Sequence, residues 1–216
     1  MTQVQNFERS LHRVFAPVFC PATERAVDFL DLDVPGAPPR GGSFLDVGCG
    51  TGVIAVMAAV AGYDRVVAAD ISPRAVENTA ANAQRHGVED RLSALHSDLF
   101  SGLGDGDRFD TIFWSSPCVR APEGDLSGAP YGRTHRDSGD RAYRRYLEQA
   151  PYWLAPNGSA LLHFSDRGDV PGLYRMAEEC GRELKVLRSH RVREGEPGRE
   201  AEYVEHLLIQ ILPVRI

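Results

Sequence analysis

The chain has 216 residues, of which 43% are hydrophobic and 25% are charged, and its formal net charge is −6. This length and composition are ordinary for one globular domain with a full core. The chain lacks the net positive charge typical of nucleic-acid enzymes, so a nucleic-acid partner is disfavoured. A net charge does not exclude a local basic patch. No run approaches the ~20 apolar residues that cross a membrane.

The four cysteines suggest a reducing compartment. Cys20, Cys49, Cys118 and Cys180 form neither a C-x-x-C pair nor a zinc-binding spacing. The N-terminus lacks the apolar core of a signal peptide. We therefore expect reduced thiols, no metal site and a cytoplasmic location.

The N-terminal part of the chain predicts short helices and a linker. Apolar residues recur at helical spacing within residues 7–15, and a proline ends that pattern. A second helical segment is predicted at 21–30. Residues 33–42 are rich in proline and glycine, which is typical of a linker. We expect a helical cap and linker over residues 1–42, followed by the main domain over residues 43–216.

From residue 43 onward, strand and helix patterns alternate. Strands are predicted at 43–47, 65–69, 92–95, 109–114 and 159–164, and helices at 53–59, 72–86, 140–153 and 170–181. The sequence Pro156-Asn157-Gly158 predicts a turn. Two last strands, 183–193 and 203–213, are joined by a link too short for a parallel crossover, so they predict an antiparallel hairpin. The alternation predicts an α/β fold with a doubly wound, mainly parallel sheet.

A glycine-rich loop follows the first predicted strand. Gly48, Gly50 and Gly52 occupy alternate positions, and an apolar helical segment begins directly afterwards. Glycines let the backbone turn sharply and approach a ligand, to which the N–H groups of the new helix are then presented. The spacing excludes a dinucleotide fingerprint, because Val53 stands where the third glycine is required. A P-loop is also excluded, because the loop has no lysine.

The run from Asp46 to Gly52, DVGCGTG, resembles the D-x-G-x-G-x-G motif of class I S-adenosylmethionine (SAM)-dependent methyltransferases. The resemblance implies a seven-stranded Rossmann-like fold with SAM as cofactor. It also implies that Asp46 orders the loop or receives the methionyl amine, and a purely structural role for Asp46 is the alternative. The loop residues implied to bind SAM are Gly48, Cys49, Gly50, Thr51 and Gly52.

Two further strand ends carry acidic residues in this pattern. Asp70 closes the second predicted strand, and its carboxylate can accept hydrogen bonds from a ribose diol, with Ile71 beside it. The alternative is a carboxylate that stabilises the N-terminus of the next helix. Asp98 and Leu99 follow the third strand, where the resemblance implies contact with adenine; a surface loop is the alternative.

A narrower resemblance, to the HemK-like small-domain methyltransferases, covers roughly residues 14–190. It rests on the run at 109–113 followed by x-x-x-Pro, on Val18-Phe19-x-Pro21, and on the segment from 137–140 through 156–158. Those enzymes carry Asn-Pro-Pro-Tyr after the fourth strand. The Asn amide oxygen and the carbonyl of the first Pro accept hydrogen bonds from the target NH₂.

In this chain Ser115, Ser116, Pro117 and Cys118 stand at those four positions, so only one proline is kept. We expect Ser115 and Ser116 to be catalytic and Ser115 also to reach the cofactor; a simple turn is the alternative. His163, in the fifth predicted strand, is expected to be a core histidine.

The polar loop after the fourth strand is expected to lie beside the acceptor. His135 is a candidate general base, because an unperturbed histidine titrates near working pH. A solvated surface loop is the alternative. The candidate substrate-binding residues are Phe19, Pro117, Cys118, Tyr131, Arg133 and Arg136.

These residues predict a SAM-dependent methyltransferase that methylates a nitrogen or oxygen nucleophile of a small molecule or peptide. The altered Asn-Pro-Pro-Tyr positions, and the short segment of about 45 residues before the glycine motif, disfavour a release-factor substrate. The alternatives are a protein glutamine N-methyltransferase of the release-factor type, a SAM-binding protein without transfer activity, and a nicotinamide oxidoreductase. The sequence predicts no oligomeric state.

Overall fold

The computed structural model describes residues 21–116, 141–194 and 201–213. Its strands are β1 (Ser43–Val47), β2 (Arg65–Asp70), β3 (Leu92–His96), β4 (Phe109–Ser115), β5 (Leu154–Ser165), β6 (Arg182–Glu194) and β7 (Glu202–Pro213). Its helices are α1 (Pro21–Phe29), α2 (Val53–Val60), α3 (Pro73–Arg85), α4 (Arg141–Gln149) and α5 (Val170–Glu179), with a 3₁₀ turn at Ala150–Trp153. The helix predicted within residues 7–15 lies outside the described residues.

The seven strands form one sheet in the order β3-β2-β1-β4-β5-β7-β6. Strands β1 to β5 pair in parallel, whereas β7 pairs antiparallel with both β5 and β6. Parallel strands need helical crossovers, and these place helices on both faces of the sheet. The predicted fold class, with its C-terminal antiparallel hairpin, is confirmed.

The strand register brings the carboxyl ends of the central strands level with one another. Val47 of β1 pairs with Ala69 of β2 on one side and with Trp114 of β4 on the other. Ser115 pairs with His163 of β5. Ligands of such open sheets bind outside this edge, close to the point where the strand order reverses between β1 and β4.

The sheet separates two hydrophobic cores. One contains Phe44, Phe113 and Leu161 and is covered by α1 and α2. The other contains Leu45, Ile112 and Trp114 and is covered by α4 and α5. Because side chains alternate along a strand, neighbouring residues enter opposite cores. Helix α1 belongs to the first core through Ala26 and Val27, and the predicted boundary at residue 42 stays a prediction.

Two local predictions differ from the structure. The predicted turn at Pro156-Asn157-Gly158 lies inside β5, which already begins at Leu154 and pairs there with Phe109 before the register shifts. Asn157 adopts a positive φ of 66°, as in a turn, but here this conformation produces an irregularity within the strand. The helix predicted at 140–153 ends at Gln149, because Pro151 cannot donate a helical hydrogen bond.

Candidate cofactor site and acceptor edge

The glycine loop is anchored to the end of β2 by backbone hydrogen bonds. The N–H groups of Gly48 and Cys49 both donate to the carbonyl of Ala69, at 2.8 and 3.1 Å. The N–H of Gly50 donates to Oδ2 of Asp70 at 2.9 Å. The loop is therefore held against β2 at the carboxyl edge of the sheet. One of its anchors is Asp70, the residue that the sequence predicts to bind the ribose.

Two glycines of the loop are required for different reasons. Gly50 has a φ of +56°, and a Cβ added there would meet nothing within 4 Å. Gly52 has a φ of +82°, but a Cβ there would lie 2.7 Å from side-chain atoms of Thr79. Gly52 therefore allows α2 and α3 to approach closely, whereas a side chain at Gly50 would face open space.

Helix α3 supports the loop from behind through buried polar residues that the sequence reasoning missed. Thr79 Oγ1 donates to the carbonyl of Gly50 at 3.4 Å, and Asn82 Nδ2 donates to the carbonyl of Thr51 at 2.9 Å. Cys49 Sγ lies 3.4 Å from Thr79 Oγ1, and burial raises the pKa of its thiol well above the ordinary value. The Cys49 side chain thus faces α3, so only the backbone of Cys49 faces the other way, toward the carboxyl edge of the sheet. The sequence signal that could have identified Thr79 and Asn82 is their three-residue spacing, which places two polar side chains on one face of α3.

Asp46 lies beneath the loop and is almost fully buried, with 2% of its surface exposed. Burial, and after it the nearby charge of Asp70, raise its pKa from 3.8 to about 8, against the opposing effect of the backbone N–H of Ala55. Among the described residues, Asp46 Oδ2 has no hydrogen-bond partner. Such an orphaned buried oxygen is costly unless a ligand or its own protonation compensates it.

Asp70 joins the glycine loop to the start of α3. Its Oδ1 accepts a hydrogen bond from the N–H of Ser72 at 2.8 Å, while Oδ2 accepts from Gly50. A carboxylate has about four lone-pair sites, so two backbone donors leave acceptor capacity for a diol. The adjacent Ile71 is 65% exposed, which is unusual for isoleucine and provides an apolar surface at the carboxyl edge of the sheet.

Asp98 and Leu99 lie in a tight turn after β3. Leu99 has a positive φ of 54°, and Ser97 Oγ donates to its carbonyl at 2.8 Å. The guanidinium of Arg145, on α4, donates to both carboxylate oxygens of Asp98 at 2.9 and 2.8 Å. Asp98, which the sequence predicts to contact adenine, is therefore held in place by Arg145.

Ser115 and Ser116 lie at the end of β4, where the sequence predicts the methyl acceptor, and we call this place the acceptor edge. The two serines have different environments. Ser116 is 6% exposed, and its Oγ donates to the carbonyl of His163 at 2.8 Å, which ties the end of β4 to β5. Ser115 is half-buried, and its Oγ lies 3.1 Å from Nδ1 of His163. The structure thus gives the Ser116 hydroxyl a structural bond and links Ser115 to a histidine.

Seven of the predicted site residues lie outside the described residues, and their roles stay predictions: Phe19, Pro117, Cys118, Tyr131, Arg133, His135 and Arg136. Within the described ranges, no cluster of histidine, cysteine or acidic side chains has an arrangement that could hold a metal ion. In that same part of the chain, no helix has the length and apolarity needed to span a membrane.

Comparison with known proteins gives sequence matches to methyltransferases. The family model described as "Ribosomal protein L11 methyltransferase (PrmA)" matches residues 21–113. The chain is 35% identical over 126 residues to a bifunctional methyltransferase of Rickettsia felis, which covers 55% of this chain and 24% of that protein. It is 35% identical over 138 residues to a ribosomal protein uL3 glutamine methyltransferase of Bradyrhizobium diazoefficiens, covering 60% and 42%.

A third relative, a ribosomal protein L11 methyltransferase of Alteromonas mediterranea, is 43% identical over 72 residues, which cover 33% of this chain and 23% of that protein. The chain thus spans less than half the length of these curated relatives. The family match includes the glycine loop, and the relatives confirm the resemblance to SAM-dependent methyltransferases. The narrower small-domain grouping stays a prediction.

Solved structures share the fold at low sequence identity. A SAM-dependent methyltransferase of Geobacter sulfurreducens, in complex with S-adenosyl-L-homocysteine, aligns over 99% of both chains with a TM-score of 0.57 and 15% identity. A methyltransferase of Pyrococcus furiosus aligns over 94% of this chain and 90% of its own with a TM-score of 0.62 and 18% identity. The chain therefore has the Rossmann-like fold of SAM-dependent methyltransferases.

The raised pKa of Asp46 predicts an unusual pH dependence of stability. Between about pH 4 and about pH 8, native Asp46 keeps a proton that the unfolded chain has lost, so the free energy of unfolding falls as pH rises. Asp46→Asn removes this dependence. We expect the loss of stability between pH 5 and pH 8, measured by urea unfolding, to shrink by at least about 1 kcal/mol in the variant, since one pKa unit is worth about 1.4 kcal/mol.

The matched control is Asp110→Asn. Hydrogen bonds from Ser43 hold the pKa of Asp110 below its ordinary value, so neutralising it leaves the difference between pH 5 and pH 8 unchanged. An identical pH profile for wild type and Asp46→Asn would show that Asp46 is ionised throughout this range.

Proposed function

We propose that this chain is a SAM-dependent methyltransferase that methylates a nitrogen atom of a protein substrate. The observation that carries the proposal is the loop at Gly50, which presents open space at the carboxyl edge of the sheet, beside the carboxylate of Asp70 at the end of β2. The sequence matches and the shared fold support the same cofactor. SAM supplies a methyl carbon that its sulfonium already activates.

The residues present fit SAM. The backbone of the loop around Gly50 offers a close approach, and the Asp70 carboxylate keeps acceptor capacity for ribose hydroxyls beside exposed Ile71. Asp98, held by Arg145, faces the adenine end in this proposal. The buried carboxyl of Asp46 adds a further polar group beneath the loop, since its Oδ2 has no partner among the described residues.

Charge supports this choice of ligand. The carboxylate of Asp70 lies against the glycine loop, where an anionic phosphate ligand would meet repulsion. SAM carries a positive sulfonium and an amino group, which acidic surroundings favour. A nicotinamide dinucleotide is a poor fit because Val53 stands where its fingerprint requires the third glycine.

The names of the relatives favour the protein-substrate alternative over the small-molecule or peptide acceptor that the sequence favoured. Two of the three relatives described above are named for ribosomal proteins, and one of these is a glutamine methyltransferase. We therefore place the acceptor nitrogen on a polypeptide and the reaction in the cytoplasm. The net charge of −6 suits a basic polypeptide.

The enzyme's main task is alignment, since the methyl group is already activated. Holding nucleophile, methyl carbon and sulfur in line can account for about 7–11 kcal/mol of the barrier. The edge at Ser115 is the place for the acceptor, because it follows β4 across the switch point from the glycine loop. A SAM-binding protein without transfer is the second candidate, because Ser115 and Ser116 replace the Asn and Pro of the related motif.

Gly50→Ala is expected to weaken SAM binding by about tenfold or more, because its Cβ would project into the space that the ligand occupies. The matched control is Gly87→Ala. Gly87 closes α3 at the opposite edge of the sheet, also has a positive φ, of +65°, and also has nothing within 4 Å of an added Cβ. Calorimetry with SAM, and with NAD as a non-ligand, measures the difference. Equal SAM affinity in the two variants would remove the loop from the site.

Asp70→Asn is expected to weaken SAM binding by about 1.5 kcal/mol or more, the value of a hydrogen bond to a charged group. Asp110→Asn is the control, because Asp110 also accepts a backbone N–H, from Ser43 at 2.7 Å, but at the amino ends of β1 and β4. Both variants are compared by calorimetry with circular dichroism as a check of the fold. Wild-type affinity in folded Asp70→Asn would assign the residue a role in the loop alone.

Incubation with methyl-labelled SAM tests the acceptor class. We expect label in protein when the purified chain meets ribosomal proteins L11 and uL3, since the relatives named for these proteins share its sequence. Label in small molecules of a cell extract would restore the small-molecule acceptor. Tight SAM binding without label in any fraction would favour the non-catalytic alternative.

A further inference from the structure

A line of four hydrogen-bonded side chains connects the acceptor edge with the C-terminal hairpin. Ser115 Oγ lies 3.1 Å from His163 Nδ1, and His163 Nε2 lies 3.0 Å from His206 Nδ1. His206 Nε2 lies 2.8 Å from Oε1 of Glu194. The other oxygen of Glu194 lies 2.8 Å from Nη1 of Arg167. We call Ser115, His163, His206 and Glu194 the relay.

The inner part of the relay is shielded from water. His163 is 1% exposed, His206 is 3% exposed and Glu194 is 9% exposed. The ring of Phe29, on α1, packs edge-on against His163 with centroids 5.9 Å apart. Buried polar atoms must find their partners within the protein, so each of these nitrogens depends on the neighbour named above.

When both imidazoles are neutral, the chemistry of the groups fixes the direction of the hydrogen bonds. Glu194, ion-paired with Arg167, can only accept, so His206 donates through Nε2. A neutral imidazole has one donor and one acceptor nitrogen, so His206 Nδ1 accepts from His163 Nε2. His163 Nδ1 then has no proton, and it accepts from the hydroxyl of Ser115. Burial lowers the pKa of His163 to about 3, which keeps this ring neutral.

We propose that the relay commits the Ser115 hydroxyl proton to His163 and so makes Ser115 Oγ a hydrogen-bond acceptor toward the cleft. A lone serine can donate or accept, whereas a serine whose proton is held offers only lone pairs. Ser115 then acts as the amide oxygen does in the related Asn-Pro-Pro-Tyr motif. It accepts an N–H of the substrate and turns the nitrogen lone pair toward the methyl group.

This inference rests on the proposed function and deepens it, because it defines the acceptor as a group that carries at least one N–H. Ser115 is the catalytic residue that touches the substrate. His163, His206 and Glu194 are positioning residues, which act through Ser115. The relay also explains why His163, which the sequence assigned to the core, carries two polar contacts in a buried strand.

The hydrogen-bond direction is measurable in the whole protein without any substrate. Nitrogen NMR of ¹⁵N-histidine-labelled protein at about pH 9, well above the ordinary histidine pKa of about 6.5, reports which ring nitrogen carries the proton. We expect Nε2–H and a bare Nδ1 in both His163 and His206. A proton on Nδ1 of His163 would overturn the proposal, whatever the protein methylates.

His206→Phe tests the effect on Ser115 without altering the cleft. The change keeps a buried ring but removes the acceptor for His163, so His163 can carry its proton on Nδ1 and donate to Ser115. We expect methyl transfer to the protein acceptor to fall about tenfold or more, with SAM affinity unchanged. His190→Phe is the matched control, because His190 is the exposed register partner of His206 on β6.

A second pair of variants separates hydrogen bonding from packing. Glu194→Gln keeps an oxygen that can accept from His206, whereas Glu194→Leu does not, so transfer should fall further in the leucine variant. Wild-type transfer by folded His206→Phe would overturn the proposal. If neither L11 nor uL3 is methylated while SAM binds, the protein-acceptor proposal fails, and the NMR result alone decides the relay.

Discussion

The hydrogen bond from the Gly50 N–H to the Asp70 carboxylate is the contact on which the candidate site depends. It joins the loop after β1 to the end of β2, and the second oxygen of Asp70 joins the start of α3. The helix that Asp70 anchors then supports the loop through Thr79 and Asn82. The Asp70 carboxylate therefore fixes the loop backbone that a cofactor would approach. The same two hydrogen bonds also fix the position of the carboxylate itself, which is the proposed partner of the ribose.

The sequence predicts the fold because its local signals agree with one another. Strands such as Ser43–Val47 and Arg65–Asp70 are short apolar runs that end in acidic or glycine-rich loops. The short link before β7 excludes a parallel crossover, so the antiparallel hairpin follows. The two local errors, at Pro151 and at residues 156–158, arise where strand pairing and a missing N–H donor override a simpler pattern.

Long-range contacts set the parts of the site that the sequence does not predict. His163 and His206 are 43 positions apart, and only the pairing of β5 with β7 brings their rings together. Arg145 reaches Asp98 across 47 positions. A pattern of single residues carries no information on such pairs. The protonated state expected for Asp46 likewise follows from its burial and from Asp70, neither of which a motif expresses.

Hydrogen–deuterium exchange with and without SAM tests whether the glycine loop and Asp70 hold the cofactor, because it reports where a ligand is held as well as whether it binds. Backbone amides that face a bound ligand or become rigid exchange more slowly. We expect slower exchange confined to residues 46–52, 70–72 and 97–99, with the amino edge of the sheet unchanged. Unchanged exchange in these segments at saturating SAM, or protection centred elsewhere, would contradict it.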